Sequence, residues 1–400
     1  MANSVTEWLV ETALKHGADR GPGIGGQLVR EAIAAKKFTP HQLNLRELAI
    51  GCFGGLTWEA RMKRYSSQAG WVQEATEAVD LSAFRSIIGT NVAAVMQDTY
   101  TESTSVVDQL VGTYDSSSDD PLNELTIPLP AIATDNGRDV APGTDYPRTG
   151  FSPWYISAPR PDKYGLIAVL TMELVRANRT KQWLDAASEV ARKVAIEEVK
   201  RKLRLVLGIT NNYTRNGTTY NTYLTSGDRV NLVNDLNLAN GPAELDRLDR
   251  LFGNMVHPAT GEPMDIEANT ILTVRGNLYS VKNAAGVTEI RTTEGDVTTL
   301  AGSPFTWSGP ILYDKRAQSM LDAEGGLSTT EAATWMAMGD FQKAFLWREM
   351  EPFHTFEVGP NDESWPPAFF QDIVYGCKAR FWGTGFVADP FRVVAGYNAD

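Results

Sequence analysis

The sequence predicts an α+β protein of two or three subdomains, and three stretches carry that expectation. "VARKVAIEEVKRKLRLVLGITNNYTRNGTTY", residues 190–220, is the end of a long charged helix that stops at a polar hairpin. Residues 126–171 are rich in proline, glycine and aspartate and end in β-branched and aromatic residues, a composition that rules out helix. Residues 341–398 read as long strands, with aromatics on alternate positions such as Phe345/Trp347 and Phe353/Thr355. A chain of 400 residues exceeds what one hydrophobic core usually serves.

Residues 1–80 are helical in pattern. Trp8, Leu9, Ala13 and Leu14 recur at helical spacing, a glycine-rich break at 21–26 precedes a helix from Gln27 to about Lys37, and Thr39-Pro40 opens a third. A further helix begins at Asp80 or Ser82, with Phe84, Ile87, Ile88, Val92, Val95 and Met96 on one side. In the proline-rich stretch, "FSPWYISA" and "YGLIAVLT" read as two strands pairing as a long hairpin, and the whole segment as a projection.

The helix from about Thr180 to Leu207 carries an apolar stripe of Trp183, Ala187, Val190 and Val194, continued after a slip by Val199, Leu203 and Val206. Glu189–Lys193, Glu197–Arg201 and Glu198–Lys202 are acid-before-base pairs on its other faces. Gly208 supplies the left-handed cap, and Asn216-Gly217 marks a hairpin. At about 1.5 Å per residue this helix is a rod of roughly 40 Å, a length suited to holding neighbours at fixed distances. Residues 240–340 read as a separate mixed unit containing the helix "GPAELDRLDRLFGNMV" and the strand "NTILTVRG".

Composition and motifs exclude several classes. A net charge of −12 argues against binding nucleic acid by neutralising phosphates. The run Lys200, Arg201, Lys202 and Arg204 reads as cations complementing a helix C-terminus. Cys52 and Cys377 follow no metal or disulfide spacing. The N-terminus has no apolar core of a signal peptide, and no apolar run approaches the roughly 18–20 residues of a membrane span, so an intracellular, soluble product is expected. "GPGIGG" (Gly21, Gly23, Gly26) matches a dinucleotide-binding fingerprint, but nothing β-like precedes it, so it reads as a hinge between helices. His16, His41, His257 and His354 form no ligand spacing, and paired carboxylates such as Glu197-Glu198 and Asp119-Asp120 read as solvated faces or loops. No catalytic, cofactor-binding or metal-ligating residue is assigned, and no enzyme activity is expected.

The order of elements, together with "DLSAFRSIIGTNVAAVMQDTY", "GFSPWYISAPRPDKYGLIAVLTMEL", "VLGITNNYTRNGTTYNTY", "GEPMDIEANTIL", "GDFQKAFLWREMEPF" and "FFQDIVYGCKARFWGTGFVADPFRVV", resembles the Hong Kong 97-type major capsid proteins of tailed phages. The resemblance covers most of residues 80–395 and implies a fold with an N-terminal arm (1–80) and an extended E-loop (126–175). It further implies a peripheral domain (81–125, 176–235 and 341–400, with a spine helix at about 180–207) and an axial domain (236–340). Its implied function is self-assembly, as hexamers and pentamers, into an icosahedral head shell enclosing double-stranded DNA without sequence-specific contacts. Portal and decoration or scaffolding proteins are the implied partners, the assembled virion the location after assembly in the host cytoplasm, and no cofactor is implied. Some members cross-link subunits through Lys and Asn beside a Glu; Lys163 and Asn361 lack the local pattern, so no cross-link is expected. Residues 1–80 are expected to be a retained arm. The alternative is an encapsulin-like shell enclosing cargo enzymes.

Overall fold

The computed structural model describes residues 31–33, 35, 75–104, 106–116, 120, 122–128, 132–133, 140, 145, 151–152, 155–171, 180–210, 213–227, 229–257, 261–287, 289–294, 297–303, 305–358 and 373–399. The expected arm helices before residue 75, apart from a few positions, and the "GPGIGG" stretch lie outside the described residues. The chain divides into two compact units, one drawn from 1–104, 163–197 and 352–381, the other from 105–162, 198–351 and 382–400. Helix Thr180–Val206 and strands Phe345–Val358 and Ile373–Val387 each run from one unit into the other.

In the first unit, helix Ala75–Thr104 begins earlier than its pattern suggests. It buries Ile87, Ile88, Val92, Val95 and Met96, the expected face. The leading part of helix Thr180–Val206 buries Trp183, Leu184, Ala187, Ala191, Val194 and Ala195. The recurring alanines leave room for close approach, and Thr99 Oγ1 meets Ser188 Oγ at 3.0 Å. Beneath lies the strand pair: the Trp183 ring stands edge-on to Tyr375 at 5.8 Å, and Cys377 Sγ sits 3.4 Å from Met96 Sδ. Strand Asp162–Thr171 is the outer neighbour of Ile373–Val387 in this sheet, with Tyr164 stacked on Phe381.

The second unit is organised by a mixed five-stranded sheet in the order Ile311–Asp314, Thr270–Val274, Met336–Gly339, Val393–Gly396, Leu232–Val233. Its inner strands "MAMG" and "VVAG" are buried throughout, as expected of strands covered on both faces. Helix Pro242–Gly253 places Leu245, Leu248 and Phe252 in the same core as Ile271, Met338 and Val394. A glycine is required at 339, where φ is 151° and a Cβ would lie 2.1 Å from the Arg392 carbonyl oxygen. Asn231 is fully buried: its Nδ2 donates to the carbonyls of Thr222, Pro390 and Val393, and its Oδ1 accepts from Leu224 N–H at 2.7 Å.

The long helix ends as its sequence dictates. Gly208 is left-handed at φ 73°, Ile209 N–H returns to the Arg204 carbonyl at 2.9 Å, and half-buried Tyr223 donates its hydroxyl to the Val206 carbonyl at 2.7 Å. These bonds satisfy carbonyls that a helix end leaves bare. The Asn216-Gly217 turn has both residues at positive φ, 50° and 79°, the geometry of a tight hairpin.

One pairing differs from expectation. Tyr155–Ala158 does not pair with Asp162–Thr171; it lies between Leu125–Pro128 and Tyr213–Arg215, in a four-stranded sheet completed by Thr218–Tyr220. Its partners come from segments distant in sequence, which local spacing does not reveal. The 213–220 hairpin is therefore joined to the neck of the proline-rich segment through Ile156↔Arg215 and Ser157↔Thr214.

Replacing Trp183 by Ala removes the largest side chain of the first unit's core. A loss of about 3–5 kcal/mol is expected, measurable by denaturant unfolding of unassembled subunits; a loss below about 1 kcal/mol contradicts this packing.

Candidate functional site

Two features stand out, one in each unit. In the first unit, strand Asp162–Thr171 is ten residues long and lies at the end of its sheet. Ala168 and Leu170 are buried, whereas Leu166, Ile167 (58% exposed) and Val169 are exposed. Successive side chains point to opposite faces of a sheet, so Leu166 and Ile167 leave both faces apolar at one point of the strand. Lys163 is also exposed there. Gly165 is where the strand passes closest to its neighbour: a Cβ would meet the Ala379 carbonyl oxygen at 2.7 Å. A long apolar edge of this kind is a template for pairing with another chain.

In the second unit, the trailing part of the long helix carries ionised groups inward. Glu198 (4% exposed) and Lys202 (7%) are buried, not on a solvated face as their i,i+4 spacing suggests. Positions 191, 195, 198 and 202 continue one helical stripe, so the ion pair lies in line with the core residues. Lys202 Nζ bonds Glu198 Oε1 at 2.7 Å and Asp108 Oδ1 at 2.8 Å and lies 5.3 Å from the Trp347 ring centroid. Burial pulls the ammonium toward its neutral form, but Glu198 and Asp108 outweigh this and hold its pKa above the ordinary lysine value. Glu349 is raised instead, first by burial and then by Glu198, with Asp108 and Asp115 adding and Lys202 opposing.

Two other cations of the basic run, Arg204 and Arg201, are engaged individually. Arg204 makes two bonds to Glu324, at 2.6 and 3.1 Å, and Arg201 reaches Asp162 at 3.4 Å. These arginines line a cavity of about 130 Å³ with Leu205, Thr210, Trp347, Thr384 and Gly385. Toward the start of the helix, Arg192 bonds Glu189. Ion pairing with specific acids, more than the helix macrodipole, accounts for these charges.

Among the described residues no group of His, Cys, Asp and Glu is placed to hold a metal, and no helix is long and apolar enough to cross a membrane. His257 shapes a turn, its N–H donating to the Glu262 carbonyl at 2.7 Å, and His354 lies against Phe356 on a strand. Cys377 is buried, its Sγ against Met96 Sδ. His16, His41, Cys52, Asp119 and Asn361 lie outside the described residues. Asp120 is a loop residue, accepting from Leu122 N–H at 2.9 Å and Asn123 Nδ2 at 2.6 Å. Sequence reasoning missed Arg348, which is 1% exposed within strand Phe345–Val358; its place between Trp347 and Glu349 carries no signal of burial.

No family model and no curated protein sequence matches the chain. Among solved structures, the mature capsid of bacteriophage PhiM1 is similar at 11% identity and TM-score 0.45, over 74% of this chain and 87% of that one. The cyanophage Pam1 capsid gives 12% and 0.44, over 72% and 89%. An encapsulin complex from Synechococcus elongatus gives 10% and 0.35, over 63% and 78%. At such identities and scores these likenesses do not assign the chain to a family. What the chain itself defines is an α+β protein with an uncovered apolar strand and a core stiffened by ion pairs.

Lys202→Met leaves Glu198 buried without its cation, and a loss of about 3–5 kcal/mol is expected by denaturant unfolding. Glu349 has a raised folded pKa, so its contribution to stability is complete below the ordinary carboxylate range and is lost as pH rises through the raised value. Glu349→Gln should therefore gain stability over wild type progressively as pH rises above the ordinary carboxylate range. A difference that does not change with pH contradicts the assigned shift.

Proposed function

We propose that this chain is a Hong Kong 97-type major capsid protein, which assembles with copies of itself into the icosahedral head shell of a tailed phage around double-stranded DNA. The observation that carries this reading is the apolar edge strand Asp162–Thr171, with Leu166, Ile167 and Val169 exposed. A free subunit leaves that edge in water; a shell supplies a neighbour along every side of every subunit. Backbone pairing at such an edge gives affinity, and side-chain pockets give specificity.

Other features support it. The 27-residue helix Thr180–Val206 serves as the spine of a peripheral domain formed by 81–125, 176–235 and 341–400. Residues 126–175 form the E-loop reaching a neighbour, 236–340 the axial domain at capsomer centres, and 1–80 the retained arm. The subunit acts by assembly and not by catalysis, in the virion, after assembly in the host cytoplasm with a portal and decoration or scaffolding proteins. A charge of −12 keeps the shell from gripping the genome it contains.

Purified protein sized by light scattering and imaged by electron microscopy should yield closed megadalton shells. Ile167→Glu, at an exposed position, should leave subunit unfolding within about 0.5 kcal/mol of wild type yet reduce shell yield at least about tenfold, the scale of a buried unpaired charge. Monomers alone from the wild-type chain, or normal shells from the variant, overturn the reading. Shells purified from their host with cargo enzymes and no DNA support the encapsulin alternative.

A further inference from the structure

Arg348 is among the largest fully buried side chains of the chain, and among the described residues no carboxylate is paired with it. A buried cation must be compensated by hydrogen bonds where no counter-ion is present. Here the compensation comes from three backbone carbonyls in two places. Nη1 donates to Asn123 O at 3.1 Å and to Pro159 O at 3.2 Å, and Nη2 donates to Asp120 O at 3.2 Å.

Those carbonyls flank one element. Leu125–Pro128 leaves and Tyr155–Ala158 returns as an antiparallel pair, with Leu125 opposite Ala158, and residues 129–154 lie between them. Asn123 and Asp120 lie in the loop that leads into the outgoing strand; Pro159 immediately follows the incoming one. The acceptors are held ready on both sides. The Asp120 carboxylate folds its own turn by accepting from Leu122 N–H and Asn123 Nδ2. Pro159 and Pro161 restrict the returning backbone, and Trp382 Nε1 donates to the Pro161 carbonyl at 3.2 Å. Arg348 itself is held by its own strand, which pairs in parallel with Gly112–Asp115, Tyr114 opposite Arg348.

We propose that Arg348 is the positioning residue of the projecting segment: one guanidinium grips both legs and fixes the direction in which residues 125–158 leave the subunit. Its functional weight rests on the shell-forming reading; the grip itself does not. Release of either leg strips acceptors from a buried charge, so the legs are held together or released together. Arginine suits the task because its planar fork spans two separated acceptors from one rigid group.

The test is hydrogen exchange of unassembled full-length subunits, with shell yield measured separately. Arg348→Met should raise exchange at least about tenfold in Leu125–Ile127 and Tyr155–Ala158, leave Met336–Gly339 and Val393–Gly396 protected, and lower shell yield. Arg348→Lys, with three donors on a point charge, should recover part of both properties. Asp120→Ala, on the surface, should loosen the same two strands to a smaller degree. It decides the matter if Arg348→Met fails to fold. Wild-type exchange in both strands of Arg348→Met, or of Asp120→Ala where Arg348→Met does not fold, overturns the proposal. Faster exchange in a wild-type chain background that forms no shells supports the grip and sinks the shell reading alone.

Discussion

An apolar strand at the end of a sheet cannot be left in water, and much of this chain's behaviour follows from that constraint. Strand Asp162–Thr171 buries Ala168 and Leu170 but leaves Leu166, Ile167 and Val169 exposed. Soluble proteins usually blunt such an edge with charge, proline or a bulge. Here the strand itself carries charge only at its start, in Asp162 and Lys163, and the run from Tyr164 to Thr171 has none. Under the proposed assembly, a neighbour covers the exposed Leu166, Ile167 and Val169.

Charge placed inside the second unit helps to hold its geometry. Lys202 is gripped by Glu198 and Asp108 and lies over Trp347. Such a cluster adds little net stability over a well-packed apolar core, since desolvation offsets most of the attraction. Its effect is directional: it penalises any rotation of the helix against the strand that carries Trp347. Asn231, with its side chain shared among four backbone groups, ties chain segments 222–224 and 390–393 in the same manner. Polar groups that are buried and satisfied specify one arrangement and oppose alternatives.

Local structure was legible in the sequence where local physics decides it. The helix ends at Val206 with left-handed Gly208 behind it, one residue from the expected boundary, because the stripe, the ion-pair spacing and the cap all point the same way. Asn216-Gly217 makes its turn for equally local reasons. Strand partners were not legible: Tyr155–Ala158 pairs with Leu125–Pro128 and Tyr213–Arg215, a decision made by distant segments. Burial of charge was hidden as well. Glu198–Lys202 has the same i,i+4 spacing whether in solvent or in a core, and only extending the stripe through 191 and 195 separates the two. Arg348 gives no sequence signal, since its acceptors are backbone carbonyls, which every residue carries.

The central claim is that a second copy of the chain covers the edge of Asp162–Thr171. Backbone hydrogen exchange at Leu166–Val169, compared between dissociated subunits and the assembled form, tests it most directly. The account predicts rapid exchange in the free subunit and protection of at least about tenfold on assembly, as new strand pairing requires. Equal exchange in both states contradicts it.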